Sequence, residues 1–324
     1  MTNFISAFAP RLEAMLLYRE TLGFSRHTRE YCLKSFDRFC SEYYPELESL
    51  SKEVVLKWLK IQGESTPWAL NDRAIMIRHL GKYLISIENA AYVLPSNFVS
   101  VKSSFTPYIL TDTELTSFFH AADTLIPTKR NPFAPEIAPV LFRLIYTCGL
   151  RPNEGRVLKR ANINFNSGEI LVTGTKRKKE RVVVMSDDML ALCKQYDMRR
   201  TIVINDSEFF FPWQNGRAYT TDQLISLFKK CWVQANLGTD ISKLPRLRVY
   251  DLRHRFASAV LNKWLDEGRN LYAMLPFLSA YMGHASLSAT AYYIHLLPEN
   301  LVKSAGIDWL SFDQLIPEVS KWQW

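Results

Sequence analysis

Two adjacent phenols, Tyr292 and Tyr293, lie near the end of the stretch YMGHASLSATAYYIH, which runs from Tyr281 to His295. A tyrosine hydroxyl has an ordinary pKa of about 10 and is protonated at neutral pH. It becomes a nucleophile only where cations and a hydrogen-bond acceptor stabilise the phenolate as it forms. The stretch holds a Gly-His turn at Gly283–His284, and a serine at 286 or 288 can cap a short helix after it. Leu287, Ala291 and Ile294 then fall at i, i+4 and i+7 and form the predicted buried stripe. The tyrosines flank that stripe about 100° apart, so only one can face a given site. Taken alone, the stretch also fits two half-buried aromatics on a surface helix.

Cations that could serve such a phenol occur at three places. Arg151 follows a helix stop at Cys148-Gly149, with Glu154 three residues further on. Such a pair is either a surface salt bridge worth little, or an arginine braced by its carboxylate to grip a phosphate bidentately. Lys176, Arg177, Lys178 and Lys179 crowd a hairpin tip, where they repel one another unless water or an anion lies against them. Lys243, Arg246 and Arg248 form a cationic loop that leads into Tyr250-Asp-Leu-Arg253-His254.

The bulk composition limits the class of protein. With 324 residues, 48% hydrophobic and 22% charged, the chain suits a soluble globular protein of two domains. Forty basic against 32 acidic residues give +8 and a pI near 9.1. That surplus favours a polyanionic partner without telling DNA from RNA or anionic lipid. Cys32, Cys40, Cys148, Cys193 and Cys231 are odd in number, scattered, and lack zinc-site spacing. They read as reduced core residues in a reducing compartment. The N-terminus has no basic lead or cleavage site, and the apolar run APVLFRLIYTC is short and broken by Arg143. A cytoplasmic protein facing nucleic acid, with no membrane span, is expected.

The elements that must position these groups are mainly α-helical, with one small antiparallel sheet. Residues 1–88 read as four helices. Leu12, Met15, Leu16 and Leu22 line the first, which Gly23 stops; Ser25 can cap the second, lined by Cys32, Phe36, Phe39 and Tyr43. Val54, Val55, Trp58 and Leu59 line the third, and Leu70, Ile77, Leu80, Leu84 and Ile87 the fourth. Arg26, Arg29, Arg73 and Arg78 lie outside these stripes, either as a solvated face or as DNA contacts. Residues 89–110, with Pro95 and Pro107, read as a linker. Thr111 and Glu114 have capping-box spacing, and helix is predicted through Phe119 and again from Pro139 to Cys148. Residues 169–185 alternate as a hairpin, 208–213 suit a short buried strand, and Thr220 or Thr221 caps a further helix. Another helix is predicted from the Tyr250 segment to Gly268. Repeats and low-complexity tracts are absent.

Three stretches, CGLRPNEGRVL, YDLRHRFAS and MGHASLSATAYYIH, occur in that order, with GTKRKKERVVV between the first two. Together they resemble the tyrosine recombinase (phage integrase) family over about 108–297. The resemblance implies a helical core-binding, DNA-clamping domain at 1–88, the linker at 89–110 and a tyrosine-recombinase catalytic domain at 111–297. An apolar tail at 298–324 would pack on its own domain or dock onto a neighbouring protomer. The resemblance further implies Arg151 as the first catalytic arginine, Glu154 as its supporting carboxylate, Arg253 as the second arginine and His284 as the histidine of the Gly-His turn. Lys176 matches the hairpin lysine, with Lys178 and Lys179 close by as competitors. The family nucleophile stands nine residues past that histidine, which selects Tyr293. One position departs: where the family usually has histidine, three residues before the second arginine, this chain has Tyr250. His254 matches a common family neighbour without a catalytic role, so the group that assists proton removal is left open.

What the family does would then follow. Tyr293 attacks a DNA phosphate held by Arg151 and Arg253, Lys176 protonates the leaving 5′ oxygen, and a 3′-phosphotyrosyl link stores the bond energy for rejoining. Neither ATP nor metal is required, and the chain has neither a phosphate-binding G-x-x-x-x-G-K-[ST] loop nor a metal-binding carboxylate cluster. The expected partners are double-stranded DNA and further protomers, as a tetramer on two paired sites, in the service of a mobile element. Tyr250 strengthens the expectation of accessory or sister recombinases. The alternatives are a DNA-binding accessory protein with impaired catalysis and a type IB topoisomerase.

Overall fold

Helices α1 (Ala9–Thr21), α2 (Glu30–Tyr43), α3 (Lys52–Ile61) and α4 (Pro67–Glu88) form residues 1–105, the first of the two units into which the chain divides. The computed structural model describes residues 4–24, 26, 30–61, 66–88, 90–99, 107–173, 180–203 and 207–294. Arg29, the hairpin tip Lys176–Lys179 and the tail 298–324 lie outside the described residues. The core of this unit gathers Phe8, Leu12, Phe36, Trp58, Ile77 and Leu80, with the Trp58 ring edge-on to Phe36 at 5.2 Å. Leu22, Tyr43 and Ile87 are exposed, contrary to the periodicity. Each stands in or just past the last turn of its helix. The buried carboxylate of Asp37 accepts from the backbone N–H groups of Ile5 and Ser6 and from the Ser6 hydroxyl, which ties the start of the chain to α2.

The second unit, residues 106–324, is built on α5 (Asp112–Asp123), α6 (Ala134–Thr147) and α9 (Thr221–Ala235). Phe118, Phe142 and Phe228 interlock where they meet, with ring centroids 4.8–5.5 Å apart. Thr111 and Glu114 close the predicted capping box on α5, and Thr220 and Gln223 do the same on α9. Helix α6 starts at Ala134, ahead of the predicted Pro139, which stands inside it. Pro135 suits the first turn, and Pro139 removes only one ladder bond there.

Short α7 (Pro152–Arg156) follows, then a hairpin of β1 (Glu169–Val172) and β2 (Arg181–Val184) in antiparallel register, Val172 opposite Arg181. Helix α8 (Asp187–Val203) gives no clear amphipathic signal, because the polar Asp197 and Arg200 are among its buried residues. Residues 208–213 bury Phe210 and Phe211 but make only isolated bridges, Lys159 to Phe209 and Pro212 to Ala218, and no strand. Helices α10 (Val249–Asp266), α11 (Leu271–Met282) and α12 (Ser288–Ala291) enclose a smaller cluster of Ala257, Leu261, Leu275, Leu278, Met282, Tyr293 and Ile294. All five cysteines are buried and unpaired, and no described helix is long and apolar enough to cross a membrane.

Gly149 ends α6 in the left-handed region (φ +58°), and a Cβ there would sit 2.5 Å from the Phe256 ring of α10. Gly268 has a similar φ of +69° with nothing within 4 Å of a Cβ. Gly268→Ala is expected to cost about 1–2 kcal/mol of stability from backbone conformation alone. Gly149→Ala should cost about 2–3 kcal/mol more, because the methyl group overpacks a rigid ring. Chemical denaturation of the full chain checks this, and equal losses would count against the packing argument.

Candidate active site

The last carbonyls of a helix have no intrahelical donor and carry partial negative charge. At the end of α11, Gly283 adopts φ +66°, so its N–H reaches Ala280 O and the His284 N–H reaches Ser279 O. The chain turns, and three consecutive carbonyls are left for outside donors. Arg181 of β2 donates from Nε to Tyr281 O at 2.8 Å, Arg253 of α10 to Met282 O at 2.7 Å, and Arg151 to Gly283 O. A Cβ at Gly283 would lie 3.1 Å from the Arg181 side chain, so glycine is needed for space as well as for backbone angle. Arg253 also donates to Gly149 O at the end of α6.

Glu154 joins two of these arginines. Its Oε2 accepts from the Arg151 backbone N–H at 2.8 Å, its Oε1 from the Arg151 guanidinium at 2.6 Å, and both oxygens from Arg181 at 2.8–2.9 Å. Burial works against the ionised form, but the hydrogen bonds and charge of Arg181, then of Arg151, outweigh it and hold the carboxyl down at about 2. Arg151 and Arg181 thus share one carboxylate, whose charge also acts on Arg253. The charges of Arg151 and Arg253 oppose one another. Arg253 is fully buried, and its Nε has no partner among the described residues. The cluster is electrostatically built for an anion.

The aromatic groups stand against this cluster. Tyr293 is 2% exposed, and its hydroxyl lies 3.0 Å from Nδ1 of His254. Burial pushes the phenol up to about 12, against the opposing pull of Arg253. The His284 ring stacks on Tyr293 at 6.1 Å and 16°, and its Nδ1 is 2.7 Å from the Thr290 hydroxyl, which leaves Nε2 for a ligand. Burial, then the charges of Arg253 and Arg151, bring His284 down to about 4, so it is neutral at pH 7. Tyr292 is 41% exposed, with its ring 6.3 Å from that of Tyr293. The predicted stripe is corrected: Thr290, Tyr293 and Ile294 are buried, whereas Leu287 is exposed, because the helix is a single turn and the chain packs through the residues after it. Tyr250 is half-buried, its ring 4.9 Å from His254.

The structure therefore brings together Arg151, Glu154, Arg253, His284 and Tyr293, with Tyr250 at the margin. Lys176, Arg177, Lys178 and Lys179 lie outside the described residues. Lys243, Arg246 and Arg248 are exposed ahead of α10. Arg246 and Arg248 line a cavity of about 500 Å³ together with Pro152, Lys229, Trp232 and Tyr250. In the first unit, Arg26 pairs with Glu13 and Glu20, and Arg73 is half-buried on α4. Arg78 donates to Leu94 O and Pro95 O at 2.8 and 2.6 Å, so its guanidinium tethers the segment after α4. Two residues of the site escape sequence reasoning. Arg181 reads as the polar start of a strand, and only its place beside α7 and α11 reveals its role. His254 reads as a neighbour of Arg253, and only the packing of α12 puts a phenol on it.

Comparison with known proteins gives a consistent result. Residues 109–300 match the phage integrase family model. A Sinorhizobium fredii protein named as an integrase/recombinase, y4rE, is 28% identical over 305 residues, 91% of this chain and 93% of its own. A Chlamydia caviae protein named as tyrosine recombinase XerC is 32% identical over 158 residues, 48% of this chain and 46% of its own. Among solved structures, the XerH site-specific recombinase bound to palindromic difH substrate aligns with a TM-score of 0.62 at 22% identity, covering 87% of this chain and 79% of that one. The Tn1549 transposon integrase in complex with transposon right end DNA aligns at 0.60 and 15% identity, covering 87% and 94%. At those identities the structural likeness is one of fold.

The Glu154 carboxyl has a testable consequence. Its folded-state pKa is depressed from 4.5 to about 2, so the stability it contributes is present above pH 4.5 and lost as pH falls towards 2. The size is about 3 kcal/mol. The stability gap between the native chain and Glu154→Gln should narrow by about that amount between pH 6 and pH 2, followed by denaturant titration. A gap independent of pH would mean that Glu154 is not held ionised by the arginines.

Proposed function

We infer the reaction from the premise that this chain belongs to the phage integrase family. It is a site-specific tyrosine recombinase, an enzyme of DNA strand exchange, and double-stranded DNA is its partner. The observation that carries the mechanism is the convergence of Arg151 and Arg253 on the α11 terminus beside Tyr293.

In this reading a DNA phosphate takes the place prepared by the guanidiniums. Arg151 and Arg253 hold its non-bridging oxygens and neutralise charge in the transition state, while Nε2 of His284 donates a further hydrogen bond. Glu154 and Arg181 keep Arg151 in position. Tyr293 attacks phosphorus, the 5′ oxygen leaves with a proton from Lys176, and a 3′-phosphotyrosyl link remains. Reversal by another strand's 5′ hydroxyl completes exchange without ATP. The role of Lys176 rests on the family resemblance.

Residues 1–88 serve as the DNA-binding, core-binding domain and 111–297 as the catalytic domain, joined by 89–110. Arg26, Arg73, Lys243, Arg246, Arg248 and the hairpin cations supply phosphate contacts, so binding weakens steeply with salt. Pairing of two sites calls for a tetramer, with the 298–324 tail as a docking segment. A mobile element is the setting we favour, given the transposon integrase among the fold neighbours. The cytoplasm is the compartment we favour, where the five unpaired cysteines stay reduced. Tyr250 in the usual histidine position favours a second reading, an accessory member that binds DNA without cleaving it.

A suicide duplex that traps the phosphotyrosine separates the two. The native chain should form a covalent adduct, Tyr293→Phe should bind DNA and form none, and Tyr292→Phe should stay active. Binding without an adduct by the native chain would favour the accessory reading, and loss of the adduct in Tyr292→Phe alone would move the nucleophile to Tyr292.

A further inference from the structure

We propose that His254 is the proton acceptor for Tyr293 in strand cleavage, supplying the function of the histidine that position 250 lacks. The inference rests on the phosphotyrosine reading above and adds the group which that reading leaves unassigned.

The geometry singles out His254. Its Nδ1 is 3.0 Å from the Tyr293 hydroxyl, and the two side chains are 9% and 2% exposed. Positions 250 and 254 are one helical turn apart on α10 and lie on the same face, so an imidazole at 254 covers space next to that of residue 250. The ring stands between Tyr250 at 4.9 Å and Tyr293 at 5.4 Å. Its other nitrogen, Nε2, faces Oδ1 of Asp251 at 3.9 Å. That carboxylate is fully buried and accepts from the Arg248 backbone at 2.7 Å and from its guanidinium at 3.2 Å. A proton on Nε2, towards Asp251, leaves the Nδ1 lone pair for the phenol. His284 is the rival, but its Nδ1 is engaged by Thr290 and its ring stacks on the phenol without bonding its oxygen.

In the step, the Tyr293 O–H bond breaks towards Nδ1 as the oxygen's electron pair forms the bond to phosphorus. The P–O5′ bond breaks with its pair on the 5′ oxygen, which takes its proton from the hairpin lysine. In rejoining, the 5′ hydroxyl attacks phosphorus and gives up its proton to the lysine, while the His254 imidazolium returns its proton to the departing phenolate. Burial, then Arg248 and Arg253, bring the resting imidazole down to about 4, while the phenol stands at about 12. The proton therefore stays on oxygen at rest and leaves only as the bond to phosphorus forms.

The test uses the full chain and suicide duplexes built from the DNA flanking its gene, with either the natural 5′ oxygen or a bridging 5′ sulfur as leaving group. Sulfur leaves without a proton, so it rescues loss of the acid and not loss of the base. His254→Gln should bind DNA normally and form adduct roughly 10²–10⁴-fold more slowly with both leaving groups. It should also lose the acid-side limb of the pH–rate profile, along which the native rate rises with pH. The groups facing His254 are Tyr250, Asp251, Arg253 and Arg248 from its own segment, Tyr293 beyond α12 and His284 after α11. His284 also titrates, so the limb belongs to His254 only where the glutamine variant lacks it. Added imidazole should restore adduct formation to His254→Ala, which covers a misfolded glutamine variant. A native rate in His254→Gln, rescue by sulfur, a retained acid limb, or failure of imidazole rescue would each overturn the assignment. No adduct from the native chain would instead overturn the phosphotyrosine reading itself.

Discussion

Three consecutive carbonyls at the end of α11, each bonded by an arginine from a different part of the chain, are the constraint on which the site depends. A helix end offers partial negative charge and unpaired acceptors, and guanidiniums answer both needs. The contacts also solve a harder problem. Arg151, Arg181 and Arg253 would repel one another if they were brought together without support. The carbonyls and the single carboxylate of Glu154 hold them with too little negative charge to balance them, and the remainder is available to a phosphate. Gly283 makes this possible, since its left-handed turn exposes the carbonyls and its missing side chain admits Arg181.

The same burial that concentrates positive charge keeps the proton-carrying groups neutral. His254 and His284 are both held near 4, and the Tyr293 phenol near 12. A free phenolate or a charged imidazole would each be costly in this enclosure. The resting site is therefore an array of neutral donors and acceptors around fixed cations, and charge develops only when a substrate brings its own. Such preorganisation is where enzymes gain most of their electrostatic advantage, because the dipoles need not reorganise during reaction.

Arg181 ties this chemistry to the hairpin. It opens β2 opposite Val172, at the end of the ladder nearest the cationic tip, and it reaches Glu154 and α11 at once. The strand that leads out of the tip is thus anchored to the carboxylate that also holds Arg151. Phe118, Phe142 and Phe228 form the rigid floor under α5, α6 and α9, and α6 ends at Gly149, whose carbonyl is the second acceptor for Arg253.

The sequence by itself determined the helical character of both units, the hairpin, the caps on α5 and α9, and the candidate identities of Arg151, Glu154, Arg253, His284 and Tyr293. The elements depend on local periodicity and capping chemistry, which are written in neighbouring residues, whereas the site residues came from the order of separated motifs and their resemblance to the family. Helix α8 was not legible, because polar Asp197 and Arg200 occupy core positions and blur its pattern. The irregular 208–213 segment looked like a strand because its aromatic residues are buried, yet it pairs with its neighbours only at single bridges, Phe209 with Lys159 and Pro212 with Ala218, too few for a ladder. The tether of Arg78 to the segment after α4 was not legible either, because its acceptors are backbone carbonyls outside the helix. Only the folded chain shows that Arg181 joins the arginine cluster and that His254 meets the hydroxyl of Tyr293. Each of those facts is a contact between residues 27 to 100 positions apart, and side-chain periodicity carries no information about which distant surfaces will meet.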